Sequence, residues 1–94
     1  MNTKEKLMTL STTKPKSMAL YYYDSCPFCV KTRQVISKLS LNIEMRNIKK
    51  NNKHRIDLKN GGNKTQVPCL RIKQSDGQIE WLYESDDIIE FLGQ

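Results

Sequence analysis

Two cysteines separated by two residues, Cys26-Pro27-Phe28-Cys29, are the side chains in this sequence best suited to do chemistry. A run of strand formers, Ala19-Leu20-Tyr21-Tyr22-Tyr23, leads into them, and a helical pattern from Val30 to Ile36 leads out. The first thiol therefore falls at a helix start. Unpaired backbone N–H groups and the positive end of the helix dipole favour negative charge there. Thiolate is the reactive form of cysteine. Cys29 lies about one helical turn further on, within disulfide reach of Cys26. The chemistry expected is reversible dithiol–disulfide exchange. Cys69 stands alone, and an odd total of three cysteines is not the pattern of a secreted disulfide scaffold. In a reducing compartment the pair reads as catalytic or metal-binding chemistry.

The chain that must position these thiols has 94 residues, the size of one small domain. Its hydrophobic fraction of 37% and charged fraction of 28% suit a soluble globular protein. No apolar run approaches the ~20 residues a membrane span needs. Lys4, Lys6, Lys14 and Lys16 punctuate the N-terminus without a continuous apolar stretch between them, so no secretory signal is read and the expected location is cytoplasmic. The net charge of +6 is uneven: residues 1–17 carry +3, residues 18–73 carry +9 and residues 74–94 carry −6. A basic middle and an acidic end suit a small anionic ligand that also bears an amine. The run Lys49-Lys50-Asn51-Asn52-Lys53-His54-Arg55 has no interleaved aromatics, which argues against nucleic acid as a partner.

Residues 1–17, polar and lysine-rich, are expected to form a flexible tail ahead of a domain spanning 18–94. Strand character is expected over 18–23, 42–47, 67–72 and 78–83, with the last two joined by a Ser75-Asp76-Gly77 turn. The first helix should run over 27–39, with Pro27 in its first turn and Val30, Val35, Ile36 and Leu39 on its apolar face. A basic helix over 48–60 should rest on Ile48, Ile56 and Leu58 and stop at Gly61-Gly62-Asn63. Ser85 reads as the N-cap of a last helix, with Asp86 and Asp87 in its first turn. The order β-α-β-α-β-β-α implies an α/β fold, a four-stranded mixed sheet with helices on both faces.

Cys26-Pro27-Phe28-Cys29 after a strand, Gln66-Val67-Pro68 before another and Glu84-Ser85-Asp86-Asp87 at the last helix start resemble the glutaredoxins in order and spacing, over about residues 18–92. The run from Tyr22 to Cys29 is also similar to the N-terminal domain of glutathione transferases. The resemblance implies a thioredoxin-like fold and a monomeric glutathione-dependent thiol–disulfide oxidoreductase. Its substrates would be glutathionylated or disulfide-containing proteins, and glutathione reductase would supply reductant indirectly. Carried over by position, Cys26 is the nucleophile and Cys29 the resolving thiol. Val67 offers its backbone to the cysteinyl unit of glutathione, with Gln66 before it and Pro68, in cis, after it. Ser85 and Asp86 hold the γ-glutamyl head, and Phe28 takes the place of the family's usual aromatic. Most glutaredoxins of this size have a lysine where Tyr23 stands. Arg55 and Lys64 are the cations expected to replace it.

Three other readings stay beside this one. A thioredoxin-like reductase for a dedicated partner would not need glutathione, and Tyr23 in place of lysine fits it. A zinc site would need about four ligands, for which Cys69 and His54 are the remaining soft candidates. An iron–sulfur carrier would bridge two chains through Cys26 and glutathione, an arrangement that the stiffness of Pro27 opposes. No metal is expected. Cys69 reads as a small buried apolar residue, or alternatively as an auxiliary thiol near the pair.

Overall fold

The computed structural model describes residues 15–93. The tail expected over 1–17 lies outside the described residues up to position 14, and its last residue already belongs to a strand. The elements are β1 (Ser17–Tyr22), α1 (Pro27–Lys38), β2 (Glu44–Asn47), α2 (Asn52–Gly62), β3 (Cys69–Lys73), β4 (Ile79–Tyr83) and α3 (Ser85–Leu92). The four strands form one mixed sheet in the order β2-β1-β3-β4. β1 runs parallel to β2 and antiparallel to β3, and β3 runs antiparallel to β4. The expected architecture is the one observed.

Strand alternation sends side chains to two separate cores. Leu20 and Tyr22 of β1, with Leu70 and Ile72 of β3, face α1 and α3, where Ile36, Ile88 and Phe91 meet them. Tyr21 and Cys69 point the other way and pack with Ile48 and Leu58 under α2, flanked by Trp81 and Tyr83. The continuous apolar run of β1 is therefore explained by burial on both faces.

Several boundaries and faces differ from expectation. β3 starts at Cys69 rather than residue 67, because Pro68 has no N–H to give a ladder. The buried face of α1 is Cys29, Thr32 and Ile36, while Val30 and Leu39 are exposed; the cysteine itself sets the phase of the helix. Ile56 is exposed and Leu58 alone anchors α2. Gly61 and Gly62 lie inside α2 instead of ending it. A Cβ on Gly61 would overlap the Trp81 indole, and one on Gly62 the Tyr83 hydroxyl. The helix ends one residue later, where Asn63 takes the left-handed conformation at φ 67°.

Candidate active site

Strand directions gather the functional segments at one end of the sheet. Parallel β1 and β2 both end there, antiparallel β3 begins there with Tyr21 opposite Cys69, and β4 ends there with Tyr83 opposite Cys69. The turn before α1, the loops at 48–51 and 64–68 and the start of α3 therefore share one rim.

Cys26 is the N-cap of α1, with extended backbone at φ −82° and ψ 115°. Its N–H donates to the Tyr23 carbonyl at 3.3 Å, closing the turn, and its carbonyl accepts from Val30 at 3.0 Å, opening the helix. The Cys29 N–H then donates to Cys26 Sγ at 3.3 Å, one of the free donors of the helix start. Cys26 is 5% exposed, Cys29 is 0% exposed and Phe28 between them is 62% exposed. Burial pushes the Cys29 thiol up from 9.0 to about 12, reinforced by its hydrogen bond to Cys26. Cys29 thus keeps its proton, and Cys26 is the sulfur that accepts a backbone N–H of the helix start. Both are free thiols.

A cleft of about 220 Å³ beside this turn is lined by Phe28, Gln66, Val67, Pro68, Glu84, Ser85 and Asp86. It brings together six residues singled out in the sequence. The Val67–Pro68 peptide is cis. Val67 stands just outside the β3 ladder and makes no backbone hydrogen bond among the described residues, so its N–H and C=O are free beside the dithiol. Across the cleft, α3 presents its N-terminus. Glu84, not Ser85, is the N-cap, at φ 70° and ψ 121° and with no side-chain cap bond; Ser85 is buried in the first turn. Glu84, quoted in the sequence motif without a role, is the seventh lining residue. Its Oε1 accepts from Gln66 Nε2 at 3.0 Å, tying the two walls. The Asp86 carboxylate pairs with Lys31 at 3.3 Å.

Three expected residues do not line the cleft. Tyr23 is half-buried just past the end of β1, packed against both cores. Arg55 is exposed on α2. Lys64 stands over the Tyr83 ring at 5.0 Å. Unforeseen polar contacts lie instead around Asp24, which accepts from Arg33 and Asn47 at 3.3 Å each and pairs with Lys50 at 3.5 Å. The Asn47 side chain accepts in turn from the N–H groups of Lys49 and Lys50, at 2.9 and 3.2 Å. Lys49 Nζ rests 4.1 Å from the centre of the Tyr23 ring. Spacing in the sequence carries no signal for these contacts, since the partners come from different elements.

Cys69 is fully buried in the core under α2, on the far side of the sheet from the dithiol, and burial pushes its thiol up to about 12. The auxiliary-thiol reading is thereby corrected, because the sheet separates Cys69 from Cys26. His54 also packs on that far side, edge-on to Tyr21. Neither residue completes a ligand set with the pair.

A dithiol at the N-terminus of a helix, beside a cis-proline on a β-α-β-α-β-β-α sheet, defines a thioredoxin-fold redox protein. The sequence model of the glutaredoxin family matches residues 11–76, more than half of the 94-residue chain. The chain belongs to the glutaredoxin family, a family of thiol oxidoreductases. Among solved structures, glutaredoxin 2 of Salmonella typhimurium in complex with glutathione is 30% identical, with a TM-score of 0.62 over 81% of this chain and 32% of that one. The maleylacetoacetate isomerase of Anaeromyxobacter dehalogenans is 24% identical, with a TM-score of 0.61 over 81% of this chain and 35% of that one. This chain thus spans about a third of either protein. A thioredoxin-like protein matches over 99% of its own length and 80% of this chain, at 19% identity and a TM-score of 0.63. The last two likenesses show the fold alone. No curated protein matches the sequence.

Proposed function

We propose that the protein is a glutathione-dependent thiol–disulfide oxidoreductase that reduces protein–glutathione mixed disulfides or protein disulfides. The observation that carries this reading is the unpaired backbone of Val67, which lines one cleft with Phe28 of the dithiol turn and the N-terminus of α3. An extended peptide can pair with such an edge as an added strand. The cysteinyl unit of glutathione would pair with Val67, its α-carboxylate would meet Ser85 and the helix N-terminus, and its ammonium would meet Asp86. Phe28, Gln66 and Pro68 would wall the site.

The Cys26 thiolate attacks the glutathione sulfur of a mixed disulfide. A Cys26–glutathione disulfide forms, and the protein thiolate leaves and takes a proton from water. A second glutathione thiolate then attacks that disulfide, releasing oxidised glutathione and regenerating the Cys26 thiolate. With a protein disulfide as substrate, Cys26 forms a mixed disulfide with the protein. Cys29 loses its proton and attacks Cys26, breaking the bond to the substrate and expelling its second thiolate, which takes a proton from water; the intramolecular disulfide left behind is reduced by two glutathiones, which leave as oxidised glutathione. Glutathione reductase would recycle the oxidised glutathione, and the reducing cytosol is the compartment in which this cycle fits.

The test is steady-state reduction of a glutathione mixed disulfide coupled to glutathione reductase. Cys26→Ser should abolish turnover and Cys29→Ser should retain it. Full activity in Cys26→Ser would end this reading. A wild-type protein that neither turns over glutathione nor becomes glutathionylated at Cys26 would favour a reductase for a dedicated partner.

A further inference from the structure

The dithiol packs with the core under α1 and α3, and the other face of the sheet has only α2 to cover it. The core under α2 takes the row at the dithiol end, Tyr21 and Cys69 with Ile48 and Leu58. One row further from the dithiol, Ala19 lies between Glu44 of β2 and Arg71 of β3, and Arg71 lies opposite Trp81 of β4. A trough of about 400 Å³ opens there. Arg46 and Arg71 stand on its floor, Trp81 and Ile79 form its apolar end, and Asp57 of α2 stands on its wall. The Trp81 ring is held from two sides, tilted on Tyr21 at 5.6 Å and lying where a Cβ on Gly61 would be.

The charges of the trough do not cancel one another. Arg46 is fully engaged: it donates to both oxygens of Glu44, at 2.9 and 3.2 Å, and to the Tyr21 hydroxyl at 2.6 Å. Arg71 and Asp57 are left. Both are half-buried, both line the trough, and neither makes an ion pair among the described residues. The Arg71 guanidinium stands 5.9 Å from the centre of the Trp81 ring. A free cation, a free carboxylate and an aromatic surface therefore share one concavity, in which each charge lacks the partner that a ligand of opposite charge supplies. We propose that this trough is a second binding site, separate from the dithiol cleft, for a small aromatic zwitterion, the chemical class of an aromatic amino acid. The ligand's carboxylate meets Arg71, its ammonium group meets Asp57, and its ring packs against Trp81.

Trp81 is the single tryptophan of the chain, so its indole N–H gives one nuclear magnetic resonance signal at the proposed site. The experiment titrates the full chain at neutral pH with three probes: L-phenylalanine, 3-phenylpropionate, which has only the acid, and phenethylamine, which has only the amine. L-Phenylalanine should shift the indole signal with Kd on the order of 1 mM, and each single-charge probe should bind more weakly. Arg71→Met should weaken L-phenylalanine and 3-phenylpropionate roughly threefold to tenfold, the range of one partly exposed charge-assisted contact, and leave phenethylamine unchanged. Asp57→Asn should do the reverse, weakening L-phenylalanine and phenethylamine and sparing 3-phenylpropionate. Cys26→Ser should bind all three as wild type does. An indole signal that stays in place up to about 20 mM L-phenylalanine overturns the proposal. So does either charge variant that binds L-phenylalanine as tightly as wild type, or that loses all three probes alike. No readout passes through the dithiol, so each outcome leaves the oxidoreductase reading to its own assay.

Discussion

The buried thiol of Cys29 should make the protein alkali-sensitive in a way that its replacement by serine removes. Its thiol is pushed from 9.0 to about 12 in the folded state, mainly by burial. Between those values the unfolded chain has released a proton that the folded chain still holds, so stability is fully present below pH 9 and falls as pH rises toward 12. For one group shifted in that direction, the loss from pH 8 to pH 10 is on the order of 1 kcal/mol, since it accrues over about one pH unit beyond the unfolded value. This is a measurable part of the roughly 5–15 kcal/mol that holds a small domain together. Urea unfolding at pH 8 and pH 10, with a phosphine keeping thiols reduced, gives the comparison. The substitution leaves every titratable group outside the dithiol in place, so the difference in slope reports the dithiol. Cys29→Ser should lose on the order of 1 kcal/mol less than wild type over that interval. Equal losses would refute the claim that Cys29 is held as a thiol by burial.

Gly61→Ala should destabilise despite the roughly 1 kcal/mol that alanine gains over glycine in a helix, because the methyl overlaps the Trp81 ring, itself backed by Tyr21 at 5.6 Å. With overpacking in the upper part of its usual range, about 2–3 kcal/mol because the overlap is deep, the net loss should be about 1–2 kcal/mol, seen as a lowered urea midpoint, and an unchanged midpoint would mean that Trp81 swings aside freely. Asn47→Ala strips the acceptor from two backbone N–H groups and should cost about 1–2 kcal/mol, with faster amide hydrogen exchange at Lys49 and Lys50. Unaltered exchange there would show that another group holds the loop.

The chemistry and the fold were legible because each is written locally. Cys26 and Cys29 sit at a strand-to-helix junction, and the strand periods on either side lead to the observed element order. Gln66-Val67-Pro68 and Ser85-Asp86 were legible as motifs, and the folded chain brings them to one cleft. What escaped depends on partners distant in the chain. Gly61 and Gly62 look like helix terminators until Trp81 and Tyr83 arrive from β4. Ser85 looks like an N-cap, but its side chain turns inward and Glu84 adopts the positive φ in its stead. Val30 counts as apolar in a helical pattern, yet Cys29 and Thr32 occupy the inward phase. Lys49 is one lysine in a basic run, and only its seat on Tyr23 distinguishes it.

The strand directions that gather the redox segments at one rim also leave the opposite rim empty of them. There β1 begins, with the Lys16 N–H bonded to the Lys73 carbonyl, and there the Gln74–Gln78 turn joins β3 to β4. Gly77 at its tip takes φ 92° with nothing near a side-chain position. An affinity handle, a fluorophore or a tether to an electrode attached at that turn therefore stands a full strand length from the dithiol. The protein can be immobilised there with the rim that carries the dithiol turn left facing solution.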